Sequence, residues 1–184
     1  MKTFNSSKHF SFKKSRAAAV TAAAVLGVLA APNVFAAAAS DTATTSATVV
    51  TPIAIINAQD LSFGEFAAGT GGTVVLTTAG AASSTGDIVL TGGTSTAAQF
   101  TVTGQDDATF SIDISDNDLT HEDTVTTMAL VTTHDVDGST GDNPVTGTLT
   151  LGTQTIYAGG TLTVASAQSA GIYSGTITAT VNYN

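Results

Sequence analysis

The sequence predicts an all-β protein, an immunoglobulin-like β-sandwich, and three observations carry that prediction. Apolar residues recur at every second position over short runs, the spacing of a strand with one buried and one wet face. The cleanest run is residues 108–114, A-T-F-S-I-D-I, which points Phe110, Ile112 and Ile114 inward. Gly-rich turns separate such runs at intervals of roughly 8–12 residues, as in sandwiches. Finally, the chain after residue 36 is rich in Thr, Ala, Gly, Ser and Val, lacks Trp, and shows no convincing helical period. A closed barrel has similar spacing, so sandwich over barrel is a preference.

The first 36 residues stand apart from this pattern. Lys2, Lys8, Lys13, Lys14 and Arg16 form a basic region, residues 17–31 an apolar stretch, and Val34-Phe35-Ala36 a small-x-small cleavage site. This is the layout of a Sec signal peptide, removed on export. Its apolar stretch of about fifteen residues is shorter than the roughly 20 that span a bilayer, so no membrane span is expected after cleavage. Cleavage after Ala36 would leave about 148 residues, the size of one domain.

Charge excludes several functions. All five Lys and Arg residues lie in the signal segment and all fourteen Asp and Glu follow it, so the exported chain carries a formal charge of −14. Nucleic-acid binding, which needs cations to displace counterions, is ruled out. Adhesion to anionic lipid fails for the same reason. With no Cys there is neither a disulfide framework nor a lipoprotein anchor, and with no Lys after residue 36 the exported chain forms no isopeptide bond.

Taken in order, residues 37–51 are low in complexity and read either as a disordered tail or as an extended arm. Ala43, Thr45, Ala47 and Val49 share one parity, which continues into Ile53 and Ile55. Such an arm suits a donor strand that adds to another domain's sheet. The domain proper, residues 52–184, starts with a strand at 52–57, where Pro52 is tolerated. Leu61 and Phe63 are core candidates, and Gly64 releases a turn. Further strands are expected at 73–78, 87–91, 99–103, 108–114, 124–133, 145–151 and 161–164. Residues 79–86 read as a flexible connection and Gly159-Gly160 as a turn.

The last stretch is the most informative. From Tyr173 on, Tyr173, Gly175, Ile177, Ala179, Val181 and Tyr183 alternate with Ser174, Thr176, Thr178, Thr180 and Asn182. Eleven residues of alternation predict one strand of roughly 36 Å at about 3.3 Å per residue. A long amphipathic strand at the end of the chain needs a partner edge.

These residues carry a resemblance. Subunits of bacterial chaperone–usher pili end in an alternating strand with a penultimate aromatic residue and a glycine fourteenth from the end. Tyr183 and Gly171 occupy those places here. The run Leu61-Ser62-Phe63-Gly64 resembles the start of archaic and spore-coat-like fimbrial subunits, and of a domain-of-unknown-function family of exported bacterial proteins. The resemblance covers about residues 52–184 and departs from many such pilins in lacking a disulfide. It implies an incomplete sandwich completed by a donor strand, with the chain itself as head-to-tail partner. It further implies a periplasmic chaperone that contacts Gly171 to Tyr183, and an outer-membrane usher.

Other chemistry is sparse. Asp116-Asn117-Asp118 with Glu122-Asp123, and Asp135, Asp137 and Asp142 with Asn143, offer oxygen ligands, yet the spacing of a calcium loop is not met. Solvated, turn-forming acids are the leading reading, and a weak calcium site at Asp135, Asp137 and Asp142 the alternative. His121 and His134, the two histidines after the signal, read as loop residues. No nucleophile elbow, P-loop or dinucleotide fingerprint occurs, so neither enzyme nor cofactor is expected. The expectation is a structural subunit of a surface filament, a fimbria or pilus with an adhesive or biofilm role, exported through the periplasm. The rival is a monomeric secreted calcium- or glycan-binding surface module, against which the scarcity of aromatic rings counts.

Overall fold

The computed structural model describes residues 38–139 and 141–184; the signal segment and its cleavage site lie outside the described residues. The chain divides into two compact units, Met1–Thr45 and Ser46–Asn184. Of the first, residues 38–45 are exposed and carry no regular secondary structure. The second holds the thirteen strands found among the described residues and is a β-sandwich. In order these are β1 (Ala54–Gln59), β2 (Ser62–Ala67), β3 (Gly72–Leu76), β4 (Ala82–Ser84), β5 (Val89–Thr96), β6 (Ala98–Thr103) and β7 (Thr109–Asp116). There follow β8 (Leu119–His121), β9 (Thr127–Asp135), β10 (Thr146–Thr148), β11 (Thr153–Val164), β12 (Tyr173–Ser174) and β13 (Ile177–Tyr183).

One sheet runs β1-β6-β11-β9-β8-β12, with β3 and β4 continuing from β11. Facing it are the three-stranded sheet β10-β7-β13 and the ribbon β2-β5. All the pairings are antiparallel. The alternation read from the sequence decides what faces inward. Phe100 and Val102 of β6, Phe110 and Ile112 of β7, Leu149, Ile156 of β11 and Val181 of β13 make one buried cluster. Phe63, Val74, Leu76, Ile88, Met128, Leu130, Leu162 and Val164 make a second. Each such side chain contributes on the order of 1.5–3 kcal/mol by leaving water. Leu61 and Ile177 pack against both clusters.

The longest strand corrects one expectation. Gly159 and Gly160 form no turn; they lie inside β11, where its neighbour on one edge changes from β6 to β3. A Cβ on Gly159 would sit 2.2 Å from the Leu76 carbonyl oxygen, and one on Gly160 2.9 Å from Leu130 Cδ1 and the Val131 carbonyl oxygen. Close backbone approach, not chain reversal, requires glycine here. Gly64 likewise ends nothing: it sits inside β2 at φ 75°, opposite an irregularity in the pairing with β5. The connection expected at 79–86 contains the short strand β4, and β8 was not anticipated.

Candidate functional site

The anticipated final strand is two strands. Tyr173 and Ser174 pair with β8 in the larger sheet; after Gly175 and Thr176 the chain crosses the sandwich and β13 pairs with β7. The parity survives the crossing. Val181 is buried and Tyr173, Ile177, Ala179 and Tyr183 half-buried, while Gly175 at the corner is exposed.

Each end of this segment is fixed by a particular contact. Gly171, at φ 150°, lies against the ring of His121, where a Cβ would come within 2.1 Å of Nε2. His121 is buried at the end of β8, tilted against Tyr173 with ring centroids 4.8 Å apart. Its Nε2 lies 3.2 Å from the Ala170 carbonyl oxygen and its Nδ1 3.1 Å from the Asp123 carboxylate. At the far end the Tyr183 hydroxyl donates to the Thr51 carbonyl (2.7 Å) and accepts from the Gln105 N–H (2.6 Å). The two ends of the domain are thereby tied together at Tyr183.

β13 is the outer strand of its sheet and β1 the outer strand of the facing one, and the two lie side by side. Among the described residues no side chain caps the β13 backbone on the side away from β7. Ile53, Ile55, Ile177 and Ala179 along this seam are half-buried rather than buried. Beyond β1 and β13 the seam widens into two clefts that share Leu61, Phe63, Leu119 and Tyr173. One, of about 540 Å³, reaches Phe100, Leu130 and Ile177. The other, of about 600 Å³, reaches Phe66, Met128 and Leu162. The lining is mixed: Leu61, Phe63, Leu119 and Tyr173 form its apolar floor, while Asn57, Gln59, Asp60 and Thr176 in one cleft and Glu65, Gln168 and Ser169 in the other are polar.

The edge of β9 is built differently. Its N–H groups on the side away from β11 are met by side chains: Leu130 donates to Asp118 Oδ1 (3.4 Å), Thr132 to Asp116 Oδ2 (2.7 Å) and His134 to Asn143 Oδ1 (2.8 Å). The Thr132 hydroxyl also donates to Asp116 (2.9 Å). Two of the acids read from the sequence as solvated turn formers, Asp116 and Asp118, are edge caps. Nothing local reveals this, because the N–H groups they meet belong to a strand 12 to 16 positions onward.

Of the metal candidates, Asp135 turns inward. It is 1 % exposed and accepts from the Thr78 hydroxyl, the Gly138 N–H and the Gly141 N–H, so it folds its own loop around itself. Asp137 accepts from the Ser139 N–H and hydroxyl, and Asp142 is exposed. Among the described residues no group of three or more acidic, His or Cys side chains could hold a metal ion. His121 and His134 lie in β8 and β9 rather than in loops, and the His134 ring nitrogen is 3.1 Å from the Pro144 carbonyl oxygen. The arm residues Ala43, Thr45, Ala47 and Val49 are exposed and outside any strand.

Among the described residues no helix is long and apolar enough to cross a membrane. No curated protein matches the chain. The family model described as Domain of unknown function (DUF4402) matches residues 53–183, which takes in β1 to β13 and both sides of the open seam. The chain belongs to that family.

Proposed function

We propose that this protein is a structural subunit of a bacterial surface filament, assembled by strand complementation between copies. One observation carries the reading: β1 and β13, side by side on facing sheets, each lack a strand partner on the outer side among the described residues, over a half-buried seam, while the free edge of β9 is capped. Residues 42–50 of a neighbouring subunit are the donor, with Ala43, Thr45, Ala47 and Val49 facing the seam. The added strand satisfies the free backbone groups and hides an edge that would otherwise aggregate. Because donor and acceptor surfaces differ, pairing is head to tail and does not close, which gives a filament. Before assembly a periplasmic chaperone would occupy the same seam, and an outer-membrane usher would pass the subunit to the cell surface. Similarity of Gly171, Tyr183 and the Leu61–Gly64 run to chaperone–usher pilins supports this route. The reading assigns the chain no catalytic role.

The rival calcium-binding module draws less support, since Asp135 is already committed to protein donors. The test is to remove residues 38–50. The truncated subunit should fold and be exported, accept a donor and terminate chains, so that mixing it with the full chain shortens filaments. Undiminished polymerisation of the truncated subunit alone would sink the proposal.

A further inference from the structure

Two turns outside the seam combine features that the fold itself does not use. Residues 150–153 close a tight hairpin in which Thr150 and Thr153 exchange backbone hydrogen bonds. Leu151 at its tip has φ 54°, a left-handed conformation suited to Gly, Asn or Asp. Leu151 is also 86 % exposed. A bulky apolar side chain that is both strained and bare to water serves neither the turn nor the core.

At the opposite end of the sandwich, the turn after β8 places Thr124 at φ 64°, an outlier for a β-branched residue. Asp123 holds this turn by accepting from the N–H groups of Val125 and Thr126 and from the Thr126 hydroxyl. It presents Val125, 82 % exposed. Near it is Ile172, 72 % exposed, whose carbonyl accepts from the Glu122 N–H. Strain of this kind persists only where surrounding contacts hold it, as Asp123 does here, and it clusters at functional surfaces.

We propose that these two ends meet in the filament: the Leu151 turn of one subunit seats on the Val125 and Ile172 patch of the next copy. This rests on the strand-complementation reading, and the direction follows from topology. The pairings within the domain are antiparallel. An arm added antiparallel to β13 therefore has its residue 50 beside Ile177. The donor's domain then lies beyond the acceptor's Tyr173 end, which carries Ile172 and Val125. In the donor, Tyr183 and Gln105 anchor Thr51, and the Gly104 N–H donates to the Gly152 carbonyl, which puts the Leu151 turn next to that anchor. Parallel insertion would instead set two Leu151 ends against one another, each with its Asp106 and Asp107.

Charge sets the condition. Asp106 and Asp107 stand near Leu151, Glu122 and Asp123 near Val125, and the chain after residue 36 has no Lys or Arg. The contact is acid against acid, so salt strengthens it; charges are screened over about 10 Å at 0.1 M ionic strength. A cationic partner at either end would be loosened by salt instead.

Filaments of the wild type, Leu151→Asn, Ile172→Asn and the double variant test this by length distribution, shear resistance and salt dependence. Gel mobility in SDS without heating reports strand exchange separately. Leu151→Asn should keep the heat-labile ladder but give filaments several-fold shorter under shear, with the wild type lengthening as salt rises. Its monomer should melt no lower than wild type, because Asn fits the turn better. The double variant should be no worse than either single one, the mark of residues acting in one contact. Wild-type length and shear resistance in Leu151→Asn, or filaments weakened by salt, would overturn the contact. Absence of any ladder in the wild type would remove the strand-complementation reading, and this contact with it.

Discussion

The part of β9 beyond its short pairing with β8 and the outer side of β13 are both unpaired strand edges, and they are finished in opposite ways. Three alternate N–H groups of β9 meet Asp118, Asp116 and Asn143, side chains that come from other parts of the chain. Along β13 the apolar side chains line a seam, and no comparable caps face it among the described residues. Capping an edge with carboxylates is a known defence against unwanted strand addition. Among the described residues, side chains cap the free edge of β9 and none caps the outer side of β13. That contrast, rather than the β class alone, supports a strand-accepting role.

The contrast can be broken from the capped side. Asp116→Ala leaves the Thr132 N–H and hydroxyl without their acceptor and should destabilise the domain by about 1–3 kcal/mol. It should also create a second adhesive edge, seen as branched or irregular aggregates by microscopy and as a lower urea midpoint. Asp116→Asn, which keeps an acceptor, should recover most of both losses. A variant Asp116→Ala as stable and as regular as wild type would mean the cap is incidental.

A smaller effect is expected where the open side is anchored. Tyr183→Phe keeps the ring in the core but removes the acceptor for the Gln105 N–H and the donor to Thr51. The loss should be about 0.5–1.5 kcal/mol by denaturant titration. The root of the arm should also become more susceptible to a protease of broad specificity. Unchanged cleavage near Thr51 would show that the tyrosine does not fix the direction in which the arm leaves.

The smallest effect concerns the turn that carries Val125. Hydrogen bonds from the Thr126 and Val125 N–H groups and the Thr126 hydroxyl hold the Asp123 carboxyl well below the usual carboxylate range. A lowered folded value means the unfolded chain takes up the proton first. The stabilisation is therefore complete above about pH 4, the ordinary aspartate range, and is lost as pH falls below it. Melting temperatures measured from about pH 6 to about pH 3 should fall less steeply for Asp123→Asn than for wild type. Parallel curves would mean that the carboxylate contributes nothing to the turn.

Much of the sandwich was legible because period-two patterning survives in the strands that bury one face. Phe100, Val102, Phe110 and Ile112 were read correctly as core residues, and the parity of Tyr173 to Tyr183 held across a change of sheet. Gly159 and Gly160 misled because sequence does not distinguish a glycine needed for close approach from one needed for a turn; only the carbonyls of Leu76 and Val131 decide it. The break at Gly175 was hidden because a strand that switches sheets keeps its alternation. Asp116, Asp118 and Asp135 looked like solvated loop acids, since their partners are distant in sequence: Thr132, Leu130 and Thr78. The clefts were not legible at all, because Leu61, Phe63, Leu119 and Tyr173 converge only through topology.

The most direct measurement is gel mobility of the native surface material in SDS, heated and unheated, with detection of this chain. Strand complementation predicts a ladder without heating that collapses to one monomer band on heating, because the chain has no Cys to form disulfides and, after residue 36, no Lys to form isopeptide bonds. A single monomer band before heating would contradict the account, for it would mean that the seam between β1 and β13 is not filled by another copy.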